Sequence, residues 1–351
     1  MLNFCTLFDS NYLSRGIAMY ESLQKHCNRF HLYIFAFDDK SYEILAGFAL
    51  ANATIISLKD FEDRELLQIK GTRSSREYCW TCTPSTILYC INKYKLEMCT
   101  YLDADIYFFS DPLPLIEEMG NDSVLITGHR YTPVYDQTET SGKYCVQFIS
   151  FNHDKNGMKV LRWWRNACLK WCFAYTEDGK FGDQKYLDDW KFRFEGVHEL
   201  GHLGGGVAPW NVQQYNIVKK KGIIIGKEKT TGNIFDIVFY HFHHLKFFKD
   251  NIVQLTADYV INSNVKRNMY KEYISHLIDI EKNILLIDNY NDYLLIESYN
   301  DIKPRNIVII ISLIINELKI TIKAIFNLVL LKNVYHRVHS YNIYLLKNIL
   351  N

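Results

Sequence analysis

Tyr101-Leu-Asp-Ala-Asp-Ile-Tyr-Phe-Phe109 decides how the rest of the 351-residue chain is read. Met98 to Tyr101 reads as a buried strand running into Asp103 and Asp105, with aromatics following. Side chains at i and i+2 of an extended chain point the same way, which sets the two carboxylates side by side. Neighbouring carboxylates at the end of an apolar strand repel each other and lose hydration, so a cation between them is the natural resolution. Hard oxygen ligands at this spacing suit Mg²⁺ or Mn²⁺. Asp-x-Asp alone also occurs in solvated turns. Its place at a strand end, about 100 residues into an α/β pattern, is what favours a ligand site.

Towards the N-terminus the pattern alternates. Residues 3–8 read as a short apolar strand ending at Asp9, and Ser10 or Asn11 can cap the helix that carries Leu13, Ile17, Tyr20 and Leu23. A strand over 31–37, a helix over 41–51 and a strand over 54–58 follow. This order implies a mainly parallel sheet with right-handed crossovers, whose ligands gather where Asp9, Asp38 and Asp103 fall. Pro84 to Tyr94 is expected as a helix opened by proline. Beyond Asp105, Asp111-Pro-Leu-Pro114 is a stop, followed by a short helix and a strand over 123–127. Residues 129–143 are expected as a loop over the site, then a strand over 144–151 and a helix over 155–174. Phe181 to Trp190 opens a further helix with Asp183 and Gln184 at its start, facing a ligand or simply capping. Gly201-His-Leu-Gly-Gly-Gly-Val-Ala-Pro-Trp-Asn211 permits close backbone approach but lacks nucleotide-loop spacing. Ile237 to His244 reads as a strand with His241 and His243 on one face and His244 on the other. Neutral imidazole ligates Mn²⁺ well beside carboxylates.

The C-terminal part differs. Residues 265–281 suit an amphipathic helix with Tyr270, Tyr273, Ile274, Leu277 and Ile278 on one side. Residues 288–303 read as a linker. In 307–331, Asn316, Lys319, Lys323 and Asn327 form one polar stripe on an apolar stretch. That stripe favours a helix lying in a membrane interface or packed on protein over a spanning one. Residues 302–351 hold seven Lys or Arg against one acid, while the whole chain is only +1. The body is therefore mildly acidic and the tail basic, which suits anionic lipid. The overall charge gives no reason to expect nucleic acid. Nine cysteines, an odd number and mostly in apolar runs, suggest reduced thiols in a cytoplasmic protein. Cys79-Trp-Thr-Cys82 has no second half-site and reads as structural. The first residues read as a strand rather than a signal peptide.

Taken together and in order, these motifs resemble those of GT-A fold glycosyltransferases, close in pattern to family 8, the retaining nucleotide-diphospho-sugar transferases. Phe8-Asp-Ser-Asn-Tyr12 with Glu21-Ser-Leu23 resembles the family's nucleotide-binding strand and helix. Tyr101-Leu-Asp-Ala-Asp105 matches its metal motif, and Asp183-Gln184 resembles the pair lining the donor sugar. Trp210-Asn211 resembles the element after that pair, and His241-Phe-His-His-Leu-Lys246 the late His-Phe-x-Gly-x-x-Lys-Pro-Trp motif. The resemblance covers about residues 1–250. It implies an α/β GT-A transferase domain over 1–255 and a helical extension over 256–351. It further implies Mn²⁺ or Mg²⁺ on Asp103, Asp105 and His241. Thr6, Phe8, Asp9, Tyr12, Arg76, Asp103 and Lys246 are implied to hold the nucleotide sugar, with Asp183 and Gln184 at the reacting centre. Lys249 and Arg73 are alternatives for the two cations. The acceptor would be a glycan or lipid-linked glycan in surface polysaccharide or lipopolysaccharide synthesis, with the tail peripheral at the inner face of the membrane. Departures are His244 in place of the late glycine, the missing Lys-Pro-Trp ending, Cys79-Trp80 where Tyr-Arg is frequent, and Gln147 near an Asn-x-Gly position. They keep open a non-catalytic nucleotide-sugar or glycan-binding protein. A nucleotidyltransferase would carry a Gly-rich basic loop after the first strand, where this chain has Asp9-Ser-Asn-Tyr-Leu-Ser-Arg15.

Overall fold

Strand β1 (Leu2–Phe8) is apolar on both sides, and its alternation divides the core in two. Phe4 and Phe8 join one cluster with Leu13, Ile17 and Met19 of helix α1 (Leu13–His26). Cys5 and Leu7 join the other, with Cys82, Ile87 and Ile91 of helix Ser75–Tyr94. A strand buried on both faces belongs at the centre of a sheet covered by helices. In this computed structural model, which describes residues 1–248, 251–287, 295–296 and 342–350, β1 is indeed central.

The remaining strands of that sheet are β2 (Phe30–Ala36), β3 (Ala53–Ser57), β4 (Met98–Leu102), β6 (Val124–Gly128), β7 (Tyr144–Asn152) and β8 (Val197–Glu199), with β5 (Ile106–Phe108) lying outside it. The order is β3-β2-β1-β4-β7-β6-β8. All neighbours are parallel except β7, which runs against both β4 and β6. The C-terminal ends of β1, β2 and β4 therefore share one edge, carrying Asp9, Asp38 and Asp103. Helix α2 (Asp39–Phe48) starts there on a capping box made by Asp38 and Ser41.

Beyond β8 come β9 (Tyr215–Lys220), β10 (Ile223–Glu228), β11 (Ile234–Asp236) and β12 (Phe239–His241), the first three forming an antiparallel sheet. Strand β12 pairs with β5, setting His241 opposite Ile106. Strands β13 (Lys246–Phe248), β14 (Ile252–Gln254), β15 (Leu295–Ile296) and β16 (Ile343–Leu345) form a last small sheet. Helix Lys271–Ile287 buries Tyr273, Ile274 and Leu277 in the α1 side of the core. His276 on that helix bonds both Tyr107 (3.0 Å) and Glu21 (2.5 Å).

Several local expectations change. The helix placed at Pro84 begins at Ser75, because Ser74 and Glu77 form a capping box and the chain accepts Pro84 inside the helix. The first cap is Asp9, which accepts from the Asn11 N–H and starts a 3₁₀ turn over Ser10–Tyr12. Phe181 to Trp190 is not one helix. Lys185–Asp189 is 3₁₀ and a short turn of α-helix follows at Trp190–Arg193. The strand read over 237–244 stops at His241. Within the span read as a linker, Leu295–Ile296 pairs with Phe247 and Phe248. The apolar stretch 307–331 lies outside the described residues. Among the described residues no helix is long and apolar enough to cross a membrane.

Candidate active site

Two chain reversals build the centre. After β4 the backbone turns at Asp103, with the Ile106 N–H reaching the Asp103 carbonyl (3.4 Å), and re-enters as β5. The two aspartates therefore occupy a turn rather than one extended strand, yet both face the same imidazole. His241 Nε2 is 3.1 Å from Asp105 Oδ1 and 4.0 Å from Asp103 Oδ2. The second reversal follows β12. The Phe242 N–H donates to the Asp105 carbonyl (2.9 Å), and the Leu245 N–H closes a turn onto Phe242 (3.2 Å). His243 and His244 are the middle residues of that turn. His244 adopts φ +63°, the left-handed conformation that a glycine takes at the third position of a type II turn. The loss of the late glycine therefore leaves the turn in place.

The electrostatics follow from burial. Burial works against the Asp105 carboxylate, but the charge and hydrogen bond of His241 outweigh it and hold Asp105 well below the usual range. Burial pushes the Asp103 carboxyl up to about 6, with His241 opposing and Asp105 adding to the rise. His241 itself is lifted well above the ordinary imidazole value, because Asp105 outweighs the desolvation of the ring. Burial and the neighbouring His244 and His241 keep His243 well below it, so its ring is neutral. Two half-buried carboxylates and a buried imidazole facing one point are a donor set suited to a divalent cation. The ligand atoms of Asp105, His241 and His243 lie within 4.8 Å of one another, as do those of Asp103, Cys145 and His241. The Cys145 thiol is raised by burial and stays protonated. These side chains fit a bound cation.

Surrounding residues fix His241. Its Nδ1 is 2.8 Å from Gln147 Oε1, an acceptor for the Nδ1 proton. Gln147 is fully buried and its Nε2 has no partner among the described residues. Trp210 stands edge-on to His241 and His243, at 5.2 and 5.5 Å between ring centroids. The Trp210 indole N–H and the Asn211 amide both donate to the His129 carbonyl (2.9 Å each). Gly206, at φ +92°, lies so close that a Cβ would stand 2.8 Å from Thr127 Cγ2 and 3.0 Å from Gln147 Nε2.

The other residues expected at the site divide into two groups. Asp183 is buried, its carboxyl raised to about 7 by desolvation and then by the charge of Asp103. Lys246 and Arg76 both act on His244, helping burial to lower its imidazole to about 4. Tyr12 is exposed overall, and its hydroxyl is pushed up to about 12 by desolvation and then by Asp105. Asp183 and Tyr12 thus lie within charge range of the aspartate pair, and Lys246 and Arg76 within charge range of His244. Elsewhere, Phe8 is committed to the core, and Asp9 bonds the backbone and side chain of Asn11 (3.1 Å each). Thr6 is fully buried in the interior of β1, its hydroxyl without a partner among the described residues. Gln184 donates to the Ser141 carbonyl (2.7 Å), tying it to the short helix Thr138–Ser141 within the segment expected as a loop. Asp38 is used structurally, accepting from the Ser10 N–H (2.9 Å), the Ser10 hydroxyl (2.8 Å) and the Ser41 N–H (2.7 Å).

Sequence reasoning missed two contributors. Arg15 donates to the Leu245 carbonyl (3.0 Å) and the Asn11 carbonyl (3.3 Å), joining the His243–His244 turn to the 3₁₀ turn that follows β1. Its signal was faint, a cation in the first turns of an otherwise apolar helix. Gln147 had a clearer one, a polar amide inside the apolar strand β7.

No family model matches the chain. A crystal structure of galactosyltransferase LgtC in complex with donor and acceptor sugar analogues is similar over 79% of this chain and 96% of that one. Its TM-score is 0.50 at 10% identity. A likeness at that identity concerns the fold. Together with the mostly parallel seven-stranded sheet flanked by helices, it defines the fold as GT-A, that of nucleotide-diphospho-sugar transferases. Sequence similarity is closer to two proteins of Bacillus subtilis (strain 168). "Uncharacterized protein YfnD" is 31% identical over 283 residues, 78% of this chain and 88% of YfnD. "Uncharacterized protein YfnF" is 29% identical over 284 residues, 78% of this chain and 92% of YfnF. The chain belongs to the YfnD family.

Proposed function

We propose that the protein is a glycosyltransferase of the family 8 type that moves a sugar from a nucleotide diphosphate, UDP by preference, to an acceptor hydroxyl. The observation that carries this reading is the convergence of Asp103, Asp105 and His241 at the carboxyl edge of the parallel strands. That edge is where α/β sheets of this kind bind nucleotides. Asp103, Asp105 and His241 would hold Mn²⁺ or Mg²⁺, which as a Lewis acid supplies positive charge opposite the departing diphosphate. Lys246 and Arg76 add positive charge on the same side and stabilise the charge that develops as the bond breaks. Tyr12 and Asp9 face the nucleoside. Asp183 accepts hydrogen bonds from donor hydroxyls, and Gln184 fixes the loop that closes over the sugar.

In the reaction the bond between the anomeric carbon and the diphosphate oxygen breaks, and a bond from that carbon to the acceptor oxygen forms. The acceptor proton passes to the leaving phosphate oxygen. Attack from the face that the diphosphate leaves gives retention. A glycan or lipid-linked glycan acceptor, in polysaccharide or lipopolysaccharide synthesis, agrees with a basic tail lying against a membrane. We assign catalysis to the domain over 1–255 and membrane or partner contact to the amphipathic, basic stretch near 307–331 of the extension over 256–351.

The test is Asp105→Ala, assayed for nucleoside diphosphate release from a panel of UDP-sugars with oligosaccharide acceptors. Turnover should fall by orders of magnitude while the fold is kept. A folded variant with near-normal turnover would contradict the proposal.

A further inference from the structure

The turn after β12 brings a second imidazole to the aspartate pair. His243 contributes a ring nitrogen within 4.8 Å of the ligand atoms of Asp105 and His241. Its ring is half-buried and makes no hydrogen bond among the described residues. It is held in place by Trp210 at 5.5 Å, His241 at 5.6 Å and the stacked His244 ring at 3.8 Å. The backbone leaves it little freedom. The Phe242 N–H is pinned to the Asp105 carbonyl and the Leu245 N–H to that of Phe242, so the residue between them stays beside Asp105. The Leu245 carbonyl is held in turn by Arg15.

We propose that His243 is a ligand of the cation, giving a centre of two carboxylates and two imidazoles that selects Mn²⁺ and its borderline neighbours Co²⁺ and Zn²⁺ over Mg²⁺. The physical reason is donor type. Imidazole nitrogen suits borderline transition-metal ions, whereas Mg²⁺ takes oxygen ligands and retains its water. The inference rests on the proposed metal site and sharpens it from "Mn²⁺ or Mg²⁺" to one class of ion.

The experiment is metal binding by the full chain with UDP present. Titration calorimetry gives the affinities for Mn²⁺, Co²⁺ and Mg²⁺, and the electron spin echo of bound Mn²⁺ counts its nitrogen ligands. The wild-type chain should show two imidazole nitrogens on Mn²⁺. His243→Ala should show one, and should lose about 10- to 100-fold in Mn²⁺ and Co²⁺ affinity while Mg²⁺ affinity changes less than about threefold. One nitrogen in the wild-type chain overturns the inference without any variant having to fold. Unchanged Mn²⁺ affinity in a folded His243→Ala also overturns it. If Asp105→Ala still abolishes binding in those cases, the metal site itself stands. A wild-type chain that binds none of these ions contradicts both His243 ligation and the metal site beneath it.

Discussion

Replacing Gly16 by alanine tests how tightly α1 is set against the strand that leads into the site. A surface glycine in a helix interior is about 1 kcal/mol less favourable than alanine, so an unconstrained Gly16→Ala should stabilise the protein. At Gly16 a Cβ would lie 2.3 Å from both Cε1 and Cζ of Phe8, where ordinary contact begins at 3.4 Å. The ring must therefore retreat by about 1 Å at least, since contact distances below that are not tolerated in a close-packed interior. Phe8 is only 3% exposed and belongs to the α1-side core, so it has no solvent to retreat into. Overpacking of this kind costs about 1–3 kcal/mol, and the size of the overlap puts it in the upper half. After the gain in helix propensity, a net loss of about 1–2 kcal/mol is expected. Urea unfolding should report it as a lower midpoint with an unchanged slope. Phe8→Leu shortens the ring, so the double variant should be more stable than the two single losses predict, by about 1 kcal/mol or more. A Gly16→Ala variant more stable than wild type, or strict additivity with Phe8→Leu, would refute the contact.

Three further outcomes are expected. Gln147→Leu removes the acceptor for the His241 Nδ1 proton but also removes a buried amide nitrogen that has no partner among the described residues. Calorimetry should find Mn²⁺ affinity down about 10- to 100-fold, with stability nearly unchanged in urea unfolding. His244→Gly places glycine at φ +63° and should raise stability by about 1 kcal/mol in the same assay. His129 is buried, and desolvation lowers its imidazole to about 3 from an ordinary 6.5. Between those values the unfolded chain binds a proton that the folded chain does not, so stability is lost as pH falls from 6.5. Comparing His129→Phe with wild type should remove a pH-dependent loss of about 2 kcal/mol between pH 7 and 5, its slope approaching about 1.4 kcal/mol per pH unit only near pH 5.

Strands β1 to β4 were legible because their apolar runs are bounded by polar turns and because buried parallel strands leave little ambiguity of period. That Asp103, Asp105 and His241 meet was implied by the family resemblance rather than by local pattern, and the structure brings the three together although the pair sits in a turn and not along a strand. Pro84 misled because proline was weighted as a helix opener, while Ser74-Ser-Arg-Glu77 already carried the capping signal. Phe181 to Trp190 broke into short turns around a buried Asp183, which no periodicity marks. The bond from Gln147 to His241 spans 94 residues of sequence. Local pattern cannot supply such a contact, which appears only once β7 and β12 are brought together.

The central claim is that the acidic edge binds a nucleoside diphosphate through a divalent cation. The most direct measurement is thermal stability with UDP, GDP, CDP, dTDP and ADP, each with and without Mn²⁺. At a hundredfold excess over its dissociation constant, a ligand specific for the folded state adds about 2.7 kcal/mol. A rise of a few degrees with one nucleotide, UDP by expectation, that requires Mn²⁺ is the result the site calls for. No shift with any nucleotide, with or without Mn²⁺, would contradict it.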